Sequence, residues 1–390
     1  MMMSRPNPVY YTPGHEDFRQ AVRRFTEQEI APYANEWEEA ESFPRTLYEK
    51  AGALGLLGLG FPAEYGGTPD VDAFHHLIAS EELARAGSGG VAASLMSHSI
   101  GAPPIMHAGS AALKERVLPD IIAGRRISAL AITEPGGGSD VAALKTIARR
   151  DGDDYLIDGE KIFITSGIRA DYFTVAVRTN PEVRGAGGLS LILVERDTPG
   201  FSRTPLQKMG WWASDTAHLR FDGCRVPASN LIGEEGKGFQ LIMRNFNLER
   251  FTLASSAYGF AKVCYEDALS WARDRHTFGQ RLVDHQVVRH KLVDMGMRIQ
   301  STRAFLEDVA WRLGDRGQQG PELVAMLCML KNHATQTTQF CADAAVQTLG
   351  GMGYMRGTRV ERIYRDVKVN MIGGGAEEVM KDLAARQLDY

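Results

Sequence analysis

Apolar residues recur along the first third of the chain at helical spacing, and between about residues 128 and 233 that period gives way to short strand-like runs. Over 16–37, Phe18, Val22, Phe25, Ile30, Tyr33 and Trp37 form one face, with a bend expected near Pro32 because proline lacks the N–H of a helix interior. Further helices are predicted over 46–57, 71–86, 91–108 and 111–123, separated by glycine- and proline-bearing joints such as Phe61-Pro62-Ala63-Glu64-Tyr65-Gly66-Gly67. An apolar run at 129–132 opens the β stretch. Two further runs, 155–157 and 161–165, flank Asp158-Gly159 and read as a hairpin whose turn needs positive φ, and strands at 172–177, 189–194 and 217–221 follow. Long helices then return over 239–275, 283–313, 321–349 and 359–387, the pattern of an antiparallel bundle. The expected fold is therefore α+β, mainly α. It has an N-terminal α-helical domain (1–127), a middle β-barrel or sheet domain (128–235) and a C-terminal four-helix bundle (236–390).

Composition narrows the function. With 390 residues, 44% of them hydrophobic and 24% charged, the chain can bury two or three cores and is an ordinary globular protein. Forty-four basic against 48 acidic residues, with no long run of one sign, exclude a nucleic-acid footprint, so an anionic ligand must be met locally. Residues 1–14 carry no hydrophobic signal core, and no apolar run reaches the roughly 18 residues of a spanning helix. No membrane insertion is expected, and a bacterial cytoplasmic location is the default expectation. Cys224, Cys264, Cys328 and Cys341 form no CxxC pair and read as reduced, packed thiols; the ten histidines include no HExxH, and no metal is expected.

The chemistry centres on Ile132-Thr133-Glu134-Pro135-Gly136-Gly137-Gly138-Ser139-Asp140, where a strand runs into a rigid corner and three glycines whose backbone admits a close ligand. Neither GxxxxGK[ST] nor GxGxxG is present, and Gly236-Lys237 also fails the phosphate-loop spacing. Taken alone, the loop is equally well an ordinary glycine turn.

It does not stand alone. This loop, followed about twenty residues later by Gly159-Glu160-Lys161-Ile162-Phe163-Ile164-Thr165-Ser166-Gly167, resembles the acyl-CoA dehydrogenase family. Further matches are Ser214-Asp215-Thr216, Val226-Pro227 with Gly233 to Phe239, Arg275-His276-Thr277-Phe278-Gly279, Gln347-Thr348-Leu349-Gly350-Gly351 and Arg365-Asp366, in the family's order from about Asp17 to Arg386. The resemblance implies FAD held without a covalent bond between the last two domains and between subunits of a homotetramer or at least a dimer. It implies an acyl-CoA substrate and electron-transfer flavoprotein as the electron acceptor. Carried over residue by residue, Leu130, Ile132, Thr133, Ser139, Phe163 and Thr165 would surround the isoalloxazine and ribityl part, with Ser139 also near the substrate. Arg275, Phe278, Gln286, Gln347, Leu349, Gly350 and Gly351 would hold the pyrophosphate and adenine of a neighbouring subunit's cofactor, and Glu377 would border the flavin. A guanidinium fork suits a pyrophosphate, and a Gly-Gly pair lets backbone amides reach it.

The reaction implied takes an α-proton from an acyl thioester while a hydride leaves the β-carbon, so it needs one carboxylate whose pKa is raised in a dry pocket. Many family members carry that glutamate in a C-terminal Tyr-Glu-Gly-Thr segment. Here the matching stretch is Ile372-Gly373-Gly374-Gly375-Ala376, with Gly374 at the glutamate's position. The alternative is Glu249 in Asn247-Leu248-Glu249-Arg250, which resembles the isovaleryl-CoA and long-chain branches, where the base comes from the bundle's first helix. Asn247, Arg250 and Gly374 are then the substrate-side candidates. Asn247 replaces that branch's aspartate, and Ala376 removes a hydroxyl that would approach the flavin. Ala92, Ala93, Ser94 and Leu95 fall where the family lines its acyl pocket, and their small side chains suit a medium, long or branched acyl group. The rival readings are an acyl-CoA oxidase on the same scaffold and a flavin-binding oligomeric protein without turnover.

Overall fold

The computed structural model describes residues 7–183, 185–314 and 320–390. The N-terminal region is helical, with α1 (Pro13–Phe25), α2 (Ala34–Glu39), α3 (Thr46–Ala53), α4 (Ala73–Ala84), α5 (Gly89–Leu95), α6 (His98–Gly101), α7 (Pro103–Ala108) and α8 (Ala111–Ile122). Caps set several of these starts: the side chains of Thr12, Asp72, Ser88 and Ser110 accept the N–H of His15, His75, Val91 and Leu113. The bend expected near Pro32 is present as a π turn over Thr26–Ile30 and a 3-10 turn over Ala31–Tyr33. The single helix predicted over 91–108 is instead three short ones. The last of them starts at the Pro103-Pro104 pair, whose missing N–H groups an earlier helix could not use.

The middle region is a sheet of β1 (Ser128–Ala131), β2 (Ile147–Asp151), β3 (Asp154–Thr165), β4 (Tyr172–Arg178), β5 (Leu189–Glu195), β6 (Phe201–Pro205), β7 (Thr216–Pro227) and β8 (Leu231–Ile232). Its order is β6-β7-β3-β2-β4-β5-β8, with β1 parallel to β4. The hairpin predicted at Asp158-Gly159 is not formed, because β3 runs straight through it. The pairing with β7 slips there, between Ile157 and Gly159, and a Cβ on Gly159 would come within 2.8 Å of Thr146 Cα. The glycine, at φ 141°, marks a bulge rather than a turn, and the actual turn lies at Gly152, between β2 and β3.

The C-terminal region holds α9 (Gly238–Asp274), α10 (Gln286–Gly314), α11 (Pro321–Leu349), α12 (Gly351–Tyr354), α13 (Arg359–Ile372) and α14 (Glu377–Gln387). A small ribbon, β9 (His276–Thr277) with β10 (Gln280–Arg281), links α9 to α10. The expected fourth helix over 359–387 is broken between α13 and α14, where Gly374 and Gly375 adopt φ of 66° and 110°. The cores cross the expected boundaries. Phe74 and Leu77 of α4 pack with Phe251, Tyr258 and Leu330 of the bundle, while Leu47 and Leu95 share a cluster with Phe173 and Val175 of the sheet. Among the described residues, no helix is long and apolar enough to cross a membrane, and all four cysteines are buried and unpaired.

Candidate active site

The glycine loop is fixed from beneath. Lys161 on β3 has no exposed surface, and its Nζ donates to Ile132 O and to Glu134 Oε1, both at 2.9 Å. The same carboxylate accepts the N–H of Lys145 (2.7 Å) and of Thr146 (2.8 Å), and Ile162 N donates to Thr133 O at 2.9 Å. Burial pushes the Lys161 ammonium down to about 8. Burial would raise Glu134, but the charge and hydrogen bond of Lys161 hold it below the ordinary carboxylate value. The loop's ends are thereby held by a buried ion pair and its hydrogen bonds. The sequence signal for this pair is a lysine at an inward position of an apolar strand, with an acid in the companion motif.

Above this pair the surface is open. A Cβ on Gly136 or Gly137 would meet nothing within 4 Å, Ser139 is exposed, and Thr133 and Thr165 are half-buried. Phe163 is 66% exposed at φ 62°, a left-handed conformation that a bulky residue rarely adopts. An exposed ring, hydroxyls and bare glycine backbone beside it form a donor set and an apolar face suited to a flat heteroaromatic ring, so the residues fit an isoalloxazine. Leu130 is half-buried and Ile132 is buried against the sheet, so their side chains offer less than the expectation assigned to them.

The second expected group sits at the α9–α10 junction. Arg275 and Gln286 are exposed, and Phe278 is 98% exposed at φ 51°, held only edge-on to His285. The third lies at the end of α11, where Gln347, Gly350 (φ 60°) and Gly351 are exposed and Leu349 is partly packed into the core. Among the described residues, no hydrogen bond joins these three groups within one chain. Glu377 accepts from Gln336 and Lys381, so its carboxylate is engaged at the bundle's surface.

Of the substrate-side candidates, Asn247, Arg250 and Gly374 lie together beside Glu249, and Ser139 lies on the glycine loop. Glu249 on α9 is half-buried, and its Oε2 is enclosed without a hydrogen-bond partner. A Cβ placed on Gly374 would lie 3.8 Å from Glu249 Oε1, so the two positions from which a base could come look into the same space. Burial pushes the Glu249 carboxyl up to about 7 against the pull of Arg250 and Lys331. Arg250 is buried, with Nη1 3.3 Å from Asn247 Oδ1 and Nε 3.5 Å from Gly374 O. Lys331, on α11 and missed in the sequence, is fully buried and donates to Gly375 O at 2.7 Å. Its only signal was a lysine inside the apolar stripe of Leu327, Leu330 and Ala334. Of the acyl-pocket candidates, Ser94 and Leu95 are sealed, Ser94 by hydroxyl contacts at 3.0 Å to Ser166 and Ser214. Ala92 and Ala93 retain some exposure.

The helix carrying Glu249 is registered to the glycine-loop strand through α6. Asn245 Nδ2 donates to Ile100 O (2.8 Å), Ser97 Oγ to Ser128 O (3.0 Å) and Thr174 Oγ1 to Gly101 O (2.6 Å). Gly101 permits this approach, since a Cβ there would fall 3.0 Å from the Ala129 carbonyl carbon. His15, Asp72 and His75 are the one group with metal-ligand spacing among the described residues; reciprocal caps account for the Asp72–His75 contact, and His15 Nε2 also meets Asp72 Oδ1 at 3.1 Å between α1 and the start of α4.

Comparison with known proteins agrees with this layout. The chain matches the models described as acyl-CoA dehydrogenase N-terminal domain (residues 12–125), middle domain (129–224) and C-terminal domain (236–388). It is 38% identical over 376 residues to the long-chain specific acyl-CoA dehydrogenase, mitochondrial, of Rattus norvegicus, covering 96% of this chain and 86% of that protein. It superposes on the acyl-CoA dehydrogenase from Geobacillus kaustophilus with a TM-score of 0.93 at 38% identity, covering 98% and 99% of the two chains. A glutaryl-CoA dehydrogenase from Mycobacterium smegmatis in complex with FADH2 matches with a TM-score of 0.90 at 26% identity, covering 97% and 95%.

Proposed function

The chain belongs to the acyl-CoA dehydrogenase family and is an FAD-dependent oxidoreductase acting on acyl-CoA, and from that premise we propose that Glu249 is its base and a medium-chain, long-chain or branched acyl-CoA its substrate. The observation carrying this reading is the enclosed, unpartnered Oε2 of Glu249 opposite Gly374. A carboxylate with no hydrogen bond to protect it is free to accept a proton, and a value pushed up to about 7 lets it do so near neutral pH. Glu249 removes the substrate's α-proton, giving the trans-2-enoyl-CoA once the β-hydrogen has also left. FAD, when bound, supplies the hydride acceptor for the β-carbon. Thr133, Ser139, Phe163 and Thr165 would hold its ring system, and Arg275, Phe278, Gln347, Gly350 and Gly351 the distal part of a neighbouring subunit's cofactor.

Gly374, where a Cβ would fall 2.5 Å from Leu253 Cδ1, brings bare backbone close to the base, and its N–H is able to stabilise enolate-like charge on the thioester carbonyl. Arg250 holds the base's helix against that segment. The exposure of Arg275, Phe278, Gly350 and Gly351 on one chain is consistent with a cofactor site completed by a neighbour in a homotetramer, and electron-transfer flavoprotein is the proposed electron acceptor. The test is anaerobic titration with butanoyl-, octanoyl-, palmitoyl- and isovaleryl-CoA. Bleaching of the oxidised flavin band by one or more identifies the acyl class, and no bleaching by any of them would overturn the assignment. Rapid reoxidation by air would replace the flavoprotein acceptor with oxygen.

A further inference from the structure

Two cations from different helices grip consecutive carbonyls of the α13–α14 break: Arg250 of α9 reaches Gly374 O and Lys331 of α11 reaches Gly375 O. The second contact is the unusual one. A lysine with no exposed surface forfeits the hydration of an ammonium, and a tether to one carbonyl needs only a neutral donor. We propose that Lys331 is a positioning residue for the reaction: it locks the Gly373–Gly375 segment across from Glu249 and supplies the buried positive charge against which Glu249 ionises. This rests on the reading of Glu249 as base.

The charged and titratable groups around the pair come from three helices. α9 contributes Glu249 and Arg250, α11 contributes Lys331 and Cys328, and α14 contributes Glu377, itself paired with Lys381; the glycine segment offers only backbone. Burial, against the pull of Glu377 and Glu249 and with a further push from Arg250, brings Lys331 down to about 8. Below about pH 8 the ammonium therefore favours the ionised carboxylate of Glu249, and above that value its charge fades as Glu249 is already ionised. A lysine that merely filled space would leave no such pH signature.

The experiment follows flavin reduction by palmitoyl-CoA, or by whichever panel member reduces wild type fastest, across pH in anaerobic stopped flow. The variants are Lys331→Met, Lys331→Gln and Lys331→Arg. Gln keeps a donor for Gly375 O without the charge, and Arg keeps the charge at every pH. We expect Met and Gln to raise the apparent pKa of reduction by about one unit, so that the loss is about tenfold at the acid end and shrinks towards alkaline pH, with Arg retaining the wild-type acid limb. An infrared titration of the protonated Glu249 carboxyl, taken as wild type minus Glu249→Gln, should show the same upward displacement without turnover. A loss of equal size at every pH, or an unmoved infrared midpoint, overturns the inference. If Glu249→Gln is inactive while the Lys331 variants keep the wild-type profile, only the inference about Lys331 fails. If Glu249→Gln still reduces flavin, the base assignment itself fails.

Discussion

A carboxylate enclosed with one oxygen unpartnered destabilises the fold that holds it, and Glu249 shows what this site demands of a single residue. Its folded value of about 7 lies above the ordinary carboxylate value. The sign follows: its contribution is most favourable at low pH, where it is protonated in both states, and is lost as pH rises through about 7. Glu249→Gln should therefore melt higher than wild type at pH 8, with the gap closing towards pH 5 in thermal scans; an equal gap at both pH values would show that burial of charge is not the cause. Burial disfavours the charge of Lys161 as well, but its ammonium compensates a buried acid. Lys161→Met should cost about 3 kcal/mol by denaturant titration and loosen bound flavin, since it leaves Glu134 enclosed with backbone donors only. Glu249 was legible because Gly374 left the usual position empty, and the structure places the two across from each other. Lys161 and Lys331 were not, because a charge that belongs inside is visible only through the partner that folding brings to it.

At the scale of elements, the period of apolar residues located the helices and most strands, while their interruptions had to be seen. Gly159 was recognised as a residue needing positive φ, but the same residue serves a hairpin turn or a bulge. Pairing with β7 on both sides of it decides for the bulge. The helical pattern over 359–387 continued through three glycines that in fact separate α13 from α14, and this break presents the segment facing Glu249. Gly375 is the position that tolerates least, since its φ of 110° suits glycine and a Cβ would fall 2.3 Å from Met380 Cε. Gly375→Ala should cost about 1–2 kcal/mol and slow flavin reduction by displacing the carbonyl that Lys331 holds. Wild-type stability and rate in that variant would show the break to be slack.

Across the whole molecule, shared cores knit the helical regions to the sheet, and α6 carries the register from Glu249's helix to the glycine-loop strand. Arg275, Phe278 and Gly350 remain exposed on a single chain, as expected if each completes a neighbour's cofactor site. Arg275→Gln should therefore lower flavin retention on dilution and increase the lower-mass species in native mass spectrometry; undiminished retention would separate cofactor binding from assembly. Only the resemblance suggests this arrangement, since no spacing within one sequence reveals a site divided between copies. The central claim is that Glu249 is the base, and anaerobic mixing of the holoenzyme with the acyl-CoA panel tests it most directly. Wild type should bleach with at least one acyl-CoA and Glu249→Gln, with flavin still bound, should bleach at least a thousandfold more slowly. Bleaching at the wild-type rate in that variant would contradict the account.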